Sequence, residues 1–132
     1  MTGSPAGRPA GAVLGVGMDL VEVERVRSVL DRTPRFAERV FTAAEWEYCA
    51  GQHDPPMHAA ARWAAKEATL KALGLGIFGG SLTDIEVGRG DGAPSLRVGG
   101  SLADAAAVVG EWHLSLTHTA TTAGAVVIAV AG

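Results

Sequence analysis

The sequence has little of several features that define common protein classes. It contains one cysteine, Cys49, so an internal disulfide framework is excluded and a reducing compartment is indicated. No uninterrupted apolar run is long enough to cross a membrane. Basic residues are not in surplus, since 14 acidic residues outnumber 11 basic ones and the net charge is −3. This excludes the strongly basic balance of a nucleic-acid-binding domain. We therefore expect a cytoplasmic protein that binds neither membrane nor nucleic acid.

The length of 132 residues and an apolar fraction of 48% predict one compact domain. Residues 1–10 are rich in glycine and proline and contain too short an apolar stretch for a signal peptide. We expect a flexible leader over 1–10 and a single domain over 11–132.

Hydrophobic periodicity predicts the order of helices and strands. Residues 12–18 are apolar and predict a buried strand, whereas the spacing of Val23, Val26 and Leu30 predicts a helix with Asp19 at its N-cap. The remaining pattern predicts helices over 35–40, 42–51, 57–73 and 101–109, and strands over 82–87, 95–98, 112–117 and 124–130. This order is typical of an α+β fold with a largely antiparallel sheet and helices packed on one side.

The long alanine-rich helix presents two pairs of side chains at i, i+4 spacing. Glu67 and Lys71 share one face, and Arg62 and Lys66 form another pair. A carboxylate beside an ammonium group suits a Mg²⁺–phosphate complex, because the carboxylate binds the hard cation and the lysine neutralises phosphate charge. The alternative is a solvated helix with an intrahelical salt bridge.

Asp19 is the candidate for a second metal-binding carboxylate. It follows Gly15 and Gly17, which would let a phosphate or metal approach the backbone closely. A helix N-cap is the alternative role for a lone aspartate here, and the two roles are compatible.

The first predicted helix carries a basic and apolar stripe made by Arg25, Val29 and Arg32, with Arg35 shortly after it. Such a stripe could dock an acidic helical partner, because charge steers the encounter and Val29 supplies apolar contact. The alternative, given equal weight, is that this face of the helix is simply exposed to solvent.

The histidines near the C-terminus do not form an obvious catalytic set. His113 and His118 lie on opposite faces of the predicted strand, so a shared metal site is not expected. Ser115 and His118 lack a third member for a nucleophilic triad.

The motifs, taken together and in order, resemble the holo-acyl-carrier-protein synthase family of small phosphopantetheinyl transferases. The resemblance covers about residues 13–129. Its most specific segments are Gly17-Met-Asp19, Phe36-Ala-Glu-Arg39 leading to Thr42-Ala-Ala-Glu45, Arg62 to Gly74 followed by Gly76-Ile77, and Ser115-Leu-Thr-His-Thr119. It implies the 4′-phosphopantetheinyl transferase fold.

The resemblance implies transfer of the phosphopantetheine group of coenzyme A to a serine of an acyl carrier protein, with 3′,5′-ADP as the leaving group. Asp19 and Glu67 would bind Mg²⁺, Lys71 would contact phosphate, and Glu67 is the candidate acceptor of the serine proton. Contacts with coenzyme A are expected from Arg62, Lys66, Lys71, Gly74 and His118. The stripe of Arg25, Val29, Arg32 and Arg35 would dock the carrier.

The family is typically trimeric with active sites between subunits, so a homotrimer is expected. The sequence departs from the family pattern in two places. Residues 51–58 lack the lysine and arginine that often hold the adenosine 3′-phosphate, and Leu75 replaces a small polar residue. Two other functions compete with the transferase: a binding module without turnover, and a metal-dependent nucleotide hydrolase.

Overall fold

The computed structural model describes residues 8–76, 79–89 and 93–132. Strands β1, β5 and β4 form one antiparallel sheet in that order, and β2 and β3 form an antiparallel hairpin. The elements, in chain order, are β1 (Val13–Glu22), α1 (Val23–Arg32), α2 (Phe36–Val40), α3 (Ala43–Ala50), α4 (Pro55–Ala72), β2 (Ile85–Arg89), β3 (Pro94–Val98), α5 (Ala103–Ala106), β4 (Val109–His118) and β5 (Thr122–Ala131). The expected α+β architecture is confirmed.

Helix α4 is the centre of the core and lies across the inner face of the three-stranded sheet. Its small side chains allow close packing: Ala60, Ala64 and Ala68 are fully buried. On β1 the contact is closer still, because a Cβ atom on Gly15 would overlap the carbonyl oxygen of Ala72. The glycines of β1 therefore bring this strand directly against the backbone of α4.

The helix ends follow the sequence signals. Thr42 and Glu45 form a capping box at α3, in which Thr42 Oγ1 accepts the Glu45 N–H at 3.2 Å and Glu45 Oε1 accepts the Thr42 N–H at 2.8 Å. Helix α4 begins with prolines in its first turn and is followed by Gly74 at φ 74°. The positive φ explains why glycine follows this helix.

The structure corrects some predicted boundaries. Asp19 lies inside β1 and is not an N-cap, because β1 pairs with β5 through Glu22 and α1 begins only at Val23. The predicted helix over 101–109 is reduced to Ala103–Ala106 after a short 3-10 turn. The predicted strand over 82–87 begins with a 3-10 turn over Leu82–Asp84. At Asp19 and at Val109, pairing with β5 overrides the local pattern.

The outer face of the three-stranded sheet is apolar along β1 and β5, whereas β4 presents polar residues such as His113 and Ser115 there. Val16, Met18 and Leu20 on β1 are 58%, 61% and 66% exposed, and they pair with positions on β5 that include Val126 and Ile128. Side chains alternate along β1, so Asp19 points to the opposite, inner face. In the part of the chain that the structure describes, nothing covers this outer surface.

Two expectations fall on residues beyond the described ranges. Most of the leader over 1–10, and Ile77 after the long helix, lie outside them. Within the described ranges, no helix is both long and apolar enough to cross a membrane.

Candidate active site

Asp19 and Lys71 meet at the contact between β1 and α4. Lys71 Nζ lies 3.2 Å from Asp19 Oδ1 and donates to the backbone oxygen of Met18 at 3.0 Å. The Asp19 side chain is 21% exposed, so it remains accessible from the cleft beside it. The strand supplies the carboxylate and the helix supplies the cation.

Glu67 lines the same cleft one helical turn before Lys71. Its Oε1 accepts a hydrogen bond from Trp63 Nε1 at 3.2 Å, which orients the carboxylate. Burial raises the pKa of Glu67, and the negative charge of Asp19 raises it further, whereas the bond from Trp63 and the charge of Lys71 oppose this. The two carboxylates are thus close enough to repel each other, which a cation between them would relieve.

The cleft has a volume of about 440 Å³ and is lined by both carboxylates, Lys71 and Arg25. Asp19 and Glu67 fit Mg²⁺ by the chemistry of their donors, because Mg²⁺ binds one or two carboxylates and keeps water and substrate oxygens in its other positions. Among the described residues there is no cluster of three or more metal-binding side chains. A metal that needs a cage made only of protein ligands would not fit here.

The predicted docking residues lie at different distances from this cleft. Arg25 lines it, with its guanidinium carbon 5.9 Å from the centre of the Trp63 ring. Val29 is half-buried, and Arg32 and Arg35 are exposed. The basic side of α1 therefore runs away from the cleft toward solvent.

A second cavity, of about 310 Å³, contains two other predicted coenzyme A contacts, Arg62 and His118. Arg62 is only 4% exposed, and its guanidinium carbon lies 4.4 Å from the centre of the Tyr48 ring. Its Nη1 donates to the backbone oxygen of His58 at 3.2 Å. Arg89 of β2 lines this cavity as well.

Lys66 lies in the protein interior and on neither cavity. Its side chain is fully buried, its Nζ lies 2.7 Å from Glu45 Oε1, and it donates to the backbone oxygens of Leu82 and Ile85. All three donors of the ammonium group are therefore used by protein atoms. The expectation that Lys66 contacts coenzyme A is not supported by this geometry, and we assign Lys66 a structural role.

Arg62 and Glu67 occupy opposite sides of α4. They are five residues apart, which places them roughly 140° from each other around the helix axis. The two cavities share no lining residue among those described. The structure therefore brings Asp19, Glu67, Lys71 and Arg25 together in the first cleft. Arg62 and His118 lie apart from this group, in the second cavity. Gly74 lies just beyond the end of α4.

Three residues at these sites were not predicted as functional. The sequence suggested that Trp63 is a core residue, although its i, i+4 spacing to Glu67 could have revealed the hydrogen bond. Tyr48 and Arg89 come together from α3 and β2, and no local spacing connects them.

The arrangement defines a small α+β protein with a candidate metal-phosphate cleft between one strand and one long helix. Residues 15–131 match the family described as the 4′-phosphopantetheinyl transferase superfamily. The chain belongs to this superfamily.

Relatives and solved structures agree with this assignment. The chain is 47% identical over 122 residues to a holo-[acyl-carrier-protein] synthase of Anaeromyxobacter sp. (strain K), covering 88% of this chain and 94% of the relative. It is 46% identical over 121 residues to that of Streptomyces griseus, covering 89% and 98%. A holo-(acyl-carrier-protein) synthase from Bacillus anthracis in complex with CoA (3′,5′-ADP) has a similar structure, with a TM-score of 0.77, 33% identity and coverage of 91% and 98%.

Proposed function

We propose that the protein transfers the 4′-phosphopantetheine group of coenzyme A to a serine of an apo-acyl carrier protein and releases 3′,5′-ADP. The observation that carries this proposal is the convergence of Asp19, Glu67 and Lys71 in one cleft. The names of the relatives support the reaction, and the CoA complex of the Bacillus anthracis protein supports the donor. We place the reaction in the cytoplasm, in agreement with a single unpaired cysteine.

Each residue of the cleft has a distinct part in the proposed reaction. Asp19 and Glu67 would hold Mg²⁺, which when bound offsets the charge of the coenzyme A diphosphate. Lys71, which lies 3.2 Å from Asp19, would contact the same diphosphate and offset the charge of its oxygens. Glu67, directly or through a metal-bound water, is the candidate for accepting the serine proton.

The basic stripe of α1 would dock the carrier. Arg25 lines the cleft, so a carrier helix lying along Arg32, Val29 and Arg25 would end beside Glu67. An acidic partner is favoured, because three arginines would steer its approach. This orientation would deliver the serine to the reacting phosphate.

The active site is proposed to lie between subunits of a homotrimer. The 5′-diphosphate and 3′-phosphate of coenzyme A are attached to one ribose, yet Asp19 and Arg62 line cavities on opposite sides of α4. A helix roughly 10 Å across separates them, so one coenzyme A would need each group from a different chain. The exposed apolar face with Met18 and Leu20 lies beside Asp19 and offers a surface for such contact.

One assay distinguishes this reaction from its competitors. The protein is incubated with coenzyme A, Mg²⁺ and an apo-acyl carrier protein, and the carrier is weighed by mass spectrometry. A gain of one phosphopantetheine is expected. An unmodified carrier at saturating substrates contradicts the proposal, and release of 3′,5′-ADP without a carrier indicates the nucleotide hydrolase instead.

The subunit arrangement has its own test. We expect light scattering during gel filtration to give the mass of a trimer, and Leu20→Asp to give a smaller species, because it places a charge in the apolar face. Arg39→Glu, on the exposed side of α2, serves as the matched surface variant and should remain trimeric. A monomeric wild-type protein that still modifies the carrier would refute the shared site.

A further inference from the structure

Arg27 joins the middle of α1 to the corner of the chain just before α4. Its Nη1 donates to Asp54 Oδ1 at 3.0 Å and its Nη2 donates to Asp54 Oδ2 at 3.3 Å, while its Nε donates to Glu24 Oε1 at 3.0 Å. A guanidinium that meets both oxygens of one carboxylate fixes direction as well as distance. The contact therefore connects residues 27 positions apart in the sequence through a defined geometry.

The Asp54 carboxylate is available to Arg27 because it does not cap α4. An aspartate in this position normally accepts the N–H of the second or third residue of the helix. Here Pro55 and Pro56 have no N–H, and the Met57 N–H donates to the backbone oxygen of Asp54 at 3.1 Å. The side chain of Asp54 makes no cap hydrogen bond. It is thus left for Arg27, on a corner of the chain that two prolines make rigid.

The electrostatics of this ion pair agree with its geometry. The hydrogen bonds from Arg27 lower the pKa of Asp54 against an opposing effect of burial, and the bonds to Asp54 raise the pKa of Arg27. Both groups are therefore charged at neutral pH. The two side chains are 39% and 33% exposed, and ion pairs that water reaches contribute little to stability. The effect of the pair is therefore to orient α1 more than to stabilise the fold.

Arg27 and the basic stripe lie on opposite sides of α1. Arg27 is two residues from both Arg25 and Val29, which places it roughly 160° from each around the helix axis. The fully buried Val26 holds the helix to the core, but apolar contact is non-directional and opposes small rotations of the helix only weakly. The ion pair with Asp54 opposes such rotations from the side that faces away from the stripe.

We propose that Arg27 is a positioning residue for the carrier: held by Asp54, it fixes the orientation of α1 and so directs the basic stripe at the carrier. The inference rests on the proposed function, which supplies the acyl carrier protein as the partner. Arg27 itself does not dock the carrier, because two carboxylates occupy its guanidinium and it lies on the other side of the helix. The ion pair therefore acts on carrier binding and not on coenzyme A binding.

The test uses two substitutions that change the charge in opposite directions. Arg27→Met removes a cation from α1, whereas Asp54→Ala removes an anion and keeps Arg27. Each breaks the ion pair, so we expect each to raise KM for the carrier about fivefold and to leave kcat and the affinity for coenzyme A unchanged. Direct docking by Arg27 predicts the opposite sign for Asp54→Ala, because a freed guanidinium would bind an acidic carrier more tightly.

Asp31→Ala is the matched control for charge, because Asp31 is an exposed carboxylate on α1 itself. It changes the net charge as Asp54→Ala does, and KM for the carrier should stay at or below the wild-type value. Arg27→Lys keeps the charge but not the two parallel hydrogen bonds, so its KM should be intermediate. Thermal unfolding checks that each variant is folded. Calorimetry with the apo-carrier, without coenzyme A, measures carrier binding independently of turnover.

Unchanged or tighter carrier binding in Asp54→Ala would overturn the inference, as would an equal loss of affinity for coenzyme A. The outcome is separable from that of the proposed function. If both variants bind the carrier more weakly but the wild-type protein does not modify it, the role of Arg27 stands and the transferase fails. If the wild-type protein modifies the carrier and both variants keep its KM, the transferase stands and this role is wrong. A wild-type protein that binds no carrier would overturn both.

Discussion

Gly17 of β1 lies so close to Ala68 of α4 that a Cβ atom at Gly17 would overlap the Ala68 carbonyl oxygen. The neighbour is helix backbone, which cannot rotate away as a side chain can. Asp19 follows two residues later on the same face of the strand and reaches Lys71 of the same helix. The distance between strand and helix thus sets the geometry of the cleft.

We expect Gly17→Ala to lower the free energy of unfolding by about 3 kcal/mol, the upper part of the range for overpacked cores. Urea denaturation at fixed protein concentration measures the change. Gly51→Ala is the control, because a Cβ there meets backbone oxygens only at 3.6 and 3.7 Å. Equal stability of the two variants would show that β1 can move away from α4 at little cost.

Removal of either carboxylate should abolish transfer without unfolding the protein. Asp19→Ala and Glu67→Ala each delete one expected Mg²⁺ ligand, and neither side chain is fully buried. We expect rates at least about 100-fold lower for each. Chelation of Mg²⁺ from the wild-type protein should have the same effect and be reversed by added Mg²⁺.

Glu38→Ala, on the exposed side of α2, is the carboxylate control and should retain full activity. Full activity of Asp19→Ala or Glu67→Ala would remove that residue from the ligand set. Titration calorimetry with Mg²⁺ and coenzyme A checks the loss of metal binding independently of turnover.

Arg25→Glu should weaken binding of the carrier more than binding of coenzyme A. Reversing the charge replaces attraction with repulsion, so we expect KM for the carrier to rise about tenfold, which corresponds to about 1.4 kcal/mol. The dependence of this KM on salt should also become weaker. Arg39→Glu supplies the same charge change on α2 outside the stripe, and should leave both KM values as they are. A raised KM for coenzyme A instead would contradict the docking role of Arg25.

Much of the fold could be predicted because its signals are local. The alanine content of α4 and the capping box at Thr42 identify their helices. The alternation in β4 and the β-branched apolar run in β5 identify these strands. The prediction that Asp19 caps α1 was wrong for a physical reason. Pairing of β1 with β5 extends the strand to Glu22, whose partner Thr122 is 100 residues away in sequence.

The site could be predicted only in part, because its residues come from β1 and α4, which meet only through tertiary contacts. The Glu67 and Lys71 spacing is visible along one helix, and the family resemblance joined Asp19 to it. Burial of Lys66 could not be foreseen, since its partner Glu45 belongs to another helix. Sequence spacing gives the direction of a side chain on its own helix, but it does not show what packs against that face.

The Glu45–Lys66 pair should be a determinant of stability. Both side chains are fully buried, and Glu45 Oε2 also accepts the Val87 N–H at 2.7 Å. Lys66→Met leaves the Glu45 charge buried without its partner, so we expect a loss of about 3–5 kcal/mol. The double variant Glu45→Gln with Lys66→Met should recover part of this loss, because no charge remains buried.

Denaturant unfolding of the single and double variants measures this coupling. One specific result would contradict the structural role of Lys66. If Lys66→Met raises KM for coenzyme A while its stability stays at the wild-type value, Lys66 belongs to the cleft after all.

Asp84 should make stability depend on pH in the acidic range. Its Oδ2 accepts hydrogen bonds from Ser101 N–H at 3.0 Å and from Ser101 Oγ–H at 2.7 Å, and these bonds lower the pKa of the carboxyl below its model-compound value of 3.8. A lowered pKa in the folded state means that the ionised form stabilises the fold. This contribution is complete above the unfolded pKa and is lost as pH falls through the lower folded one.

We therefore expect Asp84→Asn to have a lower Tm than the wild-type protein at pH 7, because the amide accepts hydrogen bonds without a charge. The difference should shrink as pH falls below about 4, where the wild-type carboxyl also becomes protonated. Asp104→Asn, on the exposed side of α5, is the matched control and should follow the wild-type curve. Thermal unfolding between neutral and acidic pH measures the three curves. A difference between Asp84→Asn and wild type that stays constant with pH would show that the contribution of Asp84 comes from the shape of its side chain and not from its charge.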